Sequence, residues 1–107
     1  FEREAAAVGA RAEVEVKRQY PAFRIGDDAA VVLLAADAAR AAGLDPELKE
    51  SGGGSDANHF NGYGVPTVVL ATGMERIHTH DEFCRISDME KDVSWIEAIV
   101  RLAVGMG

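Results

Sequence analysis

Two stretches of this sequence carry residue types that could do chemistry. The first is His78-Thr79-His80-Asp81-Glu82, where two imidazoles and two carboxylates lie side by side. Neutral imidazole is the commonest protein ligand for metals, and the end of a rigid element is a good place to mount one. If the backbone is extended here, His78 and His80 project to the same side and both could bind one ion. A solvated polar loop accounts for the same residues equally well. His59 stands in a separate segment and could be a third ligand or a core residue. The second stretch is Gly52-Gly53-Gly54-Ser55-Asp56. Glycine lets a ligand approach the backbone closely, and a helix opening after such a loop can hold an anion. No Lys-Ser/Thr pair follows, so the loop is not a P-loop. Ser55 stands in Gly-Gly-Ser-Asp, which does not match a Gly-x-Ser-x-Gly nucleophile elbow. On residue types alone it is a tight turn with Ser55 or Asp56 capping a helix.

These residues need elements to position them. Phe1 to Ala10 is rich in Ala and Glu and predicts the end of a helix. Ala12 to Val16 alternates apolar and charged residues, the pattern of a strand with one wet face. Gly26-Asp27-Asp28 breaks the chain, with the aspartates as helix caps. Ala29–Ala42 is an apolar, Ala-rich run that predicts a mostly buried helix stopped by Gly43. Glu47 to Ser51 could form a short strand, and Asp56 to Phe60 starts a short helix. Val65–Ala71, β-branched and bounded by Gly64 and Gly73, predicts a buried strand. Ser87-Asp88-Met89-Glu90 has the form of a capping box, with Ser87 at the N-cap and Glu90 three residues on. Val93, Ile96, Ile99, Val100 and Val104 then share one face of a last helix packed on a sheet. Trp95 on that helix packs, and Cys84 is a small buried hydrophobe. Strands alternating with helices imply an α/β fold. The junction near Arg24–Asp27 divides the chain into residues 1–24 and 25–107.

Composition excludes several classes. A net charge of −7 with scattered basic residues argues against nucleic-acid binding, which needs clustered Lys and Arg. No apolar run reaches membrane-spanning length. A single cysteine rules out an internal disulfide and fits a reducing, cytoplasmic setting. Hydrophobic residues make up 48% of the chain, too many for a disordered tail. A start at Phe1 reads as a cut inside a larger protein.

Read in order, Ser51-Gly52-Gly53-Gly54-Ser55-Asp56-Ala57-Asn58, Gly64-Val65-Pro66-Thr67, Gly73 and His78-Thr79-His80-Asp81-Glu82-Phe83 resemble the end of M20 metallopeptidases, especially the peptidase T-like branch. The match covers residues 51 to 83 closely and residues 1 to 50 more loosely. The resemblance implies the C-terminal part of a zinc-dependent exopeptidase catalytic domain, residues 25–107, preceded by the end of an α+β lid domain, residues 1–24. It implies a di-zinc enzyme that hydrolyses short peptides, of aminopeptidase or tripeptidase type. It places the last metal ligand on His78 and a substrate-contacting backbone on Gly54, with Glu82 as a supporting carboxylate behind the ligand. His80 falls on a variable position of the family pattern. Two zinc ions about 3.5–4 Å apart stabilise the attacking and leaving oxygens of such a reaction. The family's His-x-Asp motif, bridging Asp and Glu-Glu pair have no counterpart in this sequence. One retained ligand cannot hold a metal pair, so the chain alone is expected to be inactive. The family's lids often mediate dimers, which adds a homodimer contact to the implied partners. Two other readings stay open: a mononuclear hydrolase using His78 and His80, and a non-enzymatic module whose Gly52–Asp56 loop holds an anion or a partner.

Overall fold

The structure, a computed structural model, describes residues 1–105. It contains four helices: α1 (Glu2–Ala7), α2 (Ala30–Ala41), α3 (Asp56–Gly62) and α4 (Ile86–Gly105). The expected α/β fold is not what forms. Among the described residues there is no strand, and the only β pairing is an isolated antiparallel bridge between Glu75 and Phe83.

A strand exists only as the hydrogen-bonded partner of another. Residues 65–71 have the right composition and no partner strand. Thr67 instead pairs with a side chain: its N–H donates to Asn61 Oδ1 at 3.1 Å, and its carbonyl accepts from Asn61 Nδ2 at 2.8 Å. Residues 12–16 fail for the same reason. The expected alternation survives locally, because Arg11–Glu13 and Glu15–Lys17 ion pairs at 2.6 and 2.9 Å join residues two apart, as extended backbone allows. Among the described residues no strand pairs with this segment, and Val16 is exposed. The 47–51 segment is likewise without strand pairing.

The helix α2 follows its sequence closely. Gly43 ends it with φ +76°, and two backbone bonds close a Schellman motif: Gly43 N–H to Arg40 O at 3.0 Å and Leu44 N–H to Ala39 O at 2.8 Å. The same pair of bonds ends α3 at Gly64 and Val65. The aspartates at 27 and 28 do not cap α2. Its N-cap is Ala29, with no side-chain bond, and Ala29 N–H is taken by Gly26 O.

The core lies where α2 meets α4, the packed pair of helices. On α2 it is built from Val32, Ala35, Ala38 and Ala39, whose small size lets the helices approach. Trp95 of α4 anchors the contact, with its indole Nε1–H donating to Ala35 O at 2.8 Å. Two expectations for α4 are corrected. The helix begins one residue before Ser87, with Arg85 O accepting the first turn's bonds from Asp88 and Met89, so Ser87 is inside the helix and not its cap. The face turned toward α2 carries Trp95, Ala98, Ile99 and Leu102, at three- and four-residue spacing. Val93, Ile96, Val100 and Val104 form a second apolar stripe, which is exposed. An open apolar groove of about 260 Å³ runs between the helices and residues 66–70, lined by Val31, Leu34, Val68, Leu70 and Ile99 among others.

Candidate functional site

The Gly52–Asp56 loop opens α3. Ser55 is the N-cap, in extended backbone, and its hydroxyl oxygen accepts from Ala57 N–H at 3.3 Å. Asn58 completes a capping box by accepting from Ser55 N–H at 2.9 Å through Oδ1. Of the two cap candidates in the sequence, Ser55 takes the role, and Asp56 sits in the first turn, exposed. Gly54 lies directly beneath Tyr20. A Cβ added at Gly54 would stand 2.0 Å from the Tyr20 hydroxyl oxygen and 2.3 Å from Cζ, so any side chain there would have to displace the Tyr20 ring. The Tyr20 ring also stands edge-on to His59, with centroids 5.8 Å apart and planes at 73°. His59 is therefore tied to Tyr20 and α3.

The histidine segment is a turn inside the loop that the Glu75–Phe83 bridge closes. His78 has φ 64° and Arg76 φ 55°, both left-handed conformations that non-glycine residues rarely adopt. Such backbone persists only where neighbouring bonds hold it. Here Glu82 Oε2 accepts from His78 N–H at 2.8 Å, Thr79 Oγ1 donates to Arg76 O at 2.7 Å, and Glu82 N–H donates to Thr79 O at 3.2 Å. Glu82 thus closes the turn that carries His78. The backbone is not extended at His78, so the alternation that would aim His78 and His80 to one side is not met.

Ion pairs stiffen the base of this loop. Arg85 bonds Glu75 and lies 3.7 Å from Asp88, and the Phe83 ring has the guanidinium groups of Arg85 and Arg76 at 5.2 and 6.0 Å. The bond to Glu75 raises the Arg85 pKa above its ordinary value. Asp88 is held below the usual carboxylate range, chiefly by its hydrogen bond from Lys91 at 2.9 Å, against an opposing effect of burial, with the charges of Lys91 and then Arg85 adding less. Cys84 is half-buried, with Sγ 3.0 Å from Thr72 O, where it ties the loop to the end of the 65–72 segment.

Among the described residues no three His, Cys, Asp or Glu side chains gather into a group that could hold a metal ion. The described residues therefore do not by themselves make up a complete zinc site. No hydrogen bond or ion pair among them joins the glycine loop to the histidine turn, so the two candidates stand as separate built pieces. Two residues that sequence reasoning passed over belong to the first piece. Asn58 could have been found as the third residue after Ser55, a short-armed version of the usual capping-box Glu or Gln. Tyr20 offered no such signal, since its contact with Gly54 is purely tertiary.

The profile of Peptidase family M20/M25/M40 matches residues 3–102, and the chain belongs to that family. It is 47% identical over 103 residues to the Bacillus subtilis protein YqjE, covering 96% of this chain and 28% of that one. Its structure is similar to that of the aminopeptidase PepT from Bacillus cereus, with a TM-score of 0.74 and 44% identity over 92% of this chain and 26% of that one. A tripeptidase from Staphylococcus aureus gives a TM-score of 0.79 and 40% identity, over 94% and 27% of the two chains. The chain thus spans 26–28% of the length of these relatives. Among the described residues no helix is long and apolar enough to cross a membrane.

Proposed function

We propose that this chain is the C-terminal part of a di-zinc metallo-exopeptidase that releases residues from short peptides, in the manner of an aminopeptidase or tripeptidase. The observation that carries the reading is the pair of built pieces in family order: a capped glycine loop opening α3, then a turn that holds His78 in a left-handed conformation. A strained backbone at a histidine is maintained by surrounding bonds, and functional sites are where such strain collects. His78 is the metal ligand of this stretch, Glu82 holds its backbone, and Gly54 offers main-chain groups to the substrate. Zinc, when bound, polarises the scissile carbonyl and supplies a water that ionises near neutral pH. The similarity to an aminopeptidase and a tripeptidase supports short peptides as substrates.

The remaining ligands come from outside these residues, and the chain by itself neither binds a zinc pair nor hydrolyses peptides. Residues 1–24 are the end of a lid domain and residues 25–107 belong to the catalytic domain. The lid is where a homodimer contact forms. The protein works in the cytoplasm, consistent with its single free cysteine.

The test uses the full-length protein, with metal content and tripeptide hydrolysis measured for His78→Ala and His80→Ala separately. His78→Ala is expected to lose bound zinc and at least about a hundredfold in rate, the scale of losing a zinc ligand or its direct support. His80→Ala should keep both. Equal losses favour one metal held by both histidines, and loss only in His80→Ala refutes the assignment of His78. Zinc-dependent hydrolysis by the purified 107-residue chain would refute the reading as a part of a larger site.

A further inference from the structure

The glycine loop is held down by a segment from far away in sequence. Asn58 is the buried polar side chain of the described residues, 7% exposed, and both ends of its amide are used. Oδ1 accepts from Ser55 N–H, and Nδ2 donates to Pro21 O at 2.9 Å across 37 residues. The Tyr20-Pro21 segment then crosses α3 at two glycines. Tyr20 rests on Gly54 just before the helix, and Pro21 rests on Gly62 at its end, where an added Cβ would stand 3.1 Å from Pro21 Cγ. Pro21 also restricts Tyr20 to extended backbone, so the strap is stiff where it crosses. One planar amide therefore sets two things together: the entry into α3 and the seat of the strap.

We propose that Asn58 is a positioning residue for the substrate loop, locking the Tyr20-Pro21 strap across Gly54 so that peptide can approach that backbone from one side only. This rests on the assignment of Gly54 to substrate contact made above. The Tyr20 ring occupies one side of Gly54 and forms a wall of the approach. Without the lock, the strap lifts and the loop loses its fixed shape. Gly54 enters this reading as a main-chain binding contact and not as a reacting group, so the effect falls on KM and spares kcat.

Asn58→Asp separates the two roles of the amide in the full-length protein. Asp keeps an oxygen for Ser55 N–H, so the cap survives, but it has no donor for Pro21 O and turns a carboxylate toward that carbonyl. KM for a tripeptide is expected to rise about tenfold, the scale of one partly buried hydrogen bond, with kcat changed by less than about threefold. Tyr20→Ala leaves cap and lock in place, removes the wall, and should raise KM by a similar factor. Because Tyr20 is 41% exposed, its removal costs less than emptying a fully buried site. A second readout is tryptic cleavage after Arg24, just beyond the strap, which should speed up about tenfold in Asn58→Asp, the same fold-change that the lost bond gives in KM. Unchanged KM in both variants overturns the proposal, even if cleavage speeds up, because the lock is then structural only. So does an equal fall in kcat for both. A full-length wild-type protein with no peptidase activity removes the proposed function itself, is seen before any substitution is made, and takes this inference with it.

Discussion

Replacing Gly54 by Ala isolates the contact between the strap and the loop. Gly54 does not occupy the left-handed region, so Ala meets no backbone strain there, and its cost is steric. The new Cβ would lie 2.0, 2.3 and 2.8 Å from Oη, Cζ and Cε2 of Tyr20, far inside van der Waals contact, so the ring must leave. Leaving forfeits its edge-on contact with His59, worth about 0.5–1.5 kcal/mol. It also exposes part of a ring that is now only 41% exposed. At about 25 cal/mol per Å² that exposure costs roughly 1–2 kcal/mol. The reduced freedom of Ala in the unfolded chain offsets about 0.4–1 kcal/mol. The net destabilisation is about 1–2.5 kcal/mol. In a Tyr20→Ala background there is no ring to expel, and the same change should be neutral or stabilising by up to about 1 kcal/mol. The assay is urea unfolding of the four chains of this double-mutant cycle, followed by circular dichroism at the helices. Equal cost of Gly54→Ala with and without the Tyr20 ring would refute the reasoning, as would no cost in the wild-type background.

Trp95→Phe keeps an aromatic ring between α2 and α4 but removes the N–H that reaches Ala35 O, and should lower stability by about 1–2 kcal/mol in the same assay. Asp88 has a folded-state pKa below its unfolded value, so its stabilisation is present above the ordinary carboxylate range and is lost as pH falls through the depressed value. Asp88→Asn should therefore flatten the pH dependence of the melting temperature on the acid side of the ordinary carboxylate range, and an unchanged slope there would count against the Lys91 and Arg85 pairing.

How far the sequence reaches depends on whether an element is defined by itself or by its partner. The helix α2 was legible because its signals are local: Ala-rich composition, then Gly43, whose left-handed conformation closes the end. Ser55 was legible as a cap for the same reason. Residues 65–71 carry β-branched side chains, which report a packed setting and not a ladder, so the strand expectation failed where no pairing segment lay alongside. The fault on α4 is one of choice. Its sequence has two apolar stripes, one through Trp95, Ile99 and Leu102 and one through Val93, Ile96, Val100 and Val104, and periodicity alone cannot say which meets α2. In the candidate site, only the family resemblance singled out His78 and Gly54 as positions, and neither it nor the residue types gave the left-handed turn at one or the aromatic cover over the other. Both features come from contacts made after the chain folds.

The balance of forces in this chain explains why those few tertiary contacts matter. Its radius of gyration is 19.5 Å, where a compact domain of this length has about 13 Å. No large side chain is fully buried among the described residues, and the α2–α4 contact rests mainly on alanines, each of which removes little apolar surface from water. The ion pairs do not compensate, because nearly all their side chains are more than half exposed, and such pairs are worth about 0–1 kcal/mol each. Helix ends and single side-chain bridges then carry a large share of the specificity: Asn58 to Pro21, Asn61 to Thr67 and Trp95 to Ala35. Each joins a helix to a segment or helix that local propensity alone would leave free. Two of the three are on α3, which is only seven residues long and falls well below the length at which an isolated helix is stable. The helix that presents the glycine loop is therefore held by Asn58 and Asn61, three residues apart on neighbouring positions of one face, which tie it to Pro21 and Thr67, and the loop's shape depends on those ties as well as on the glycines themselves.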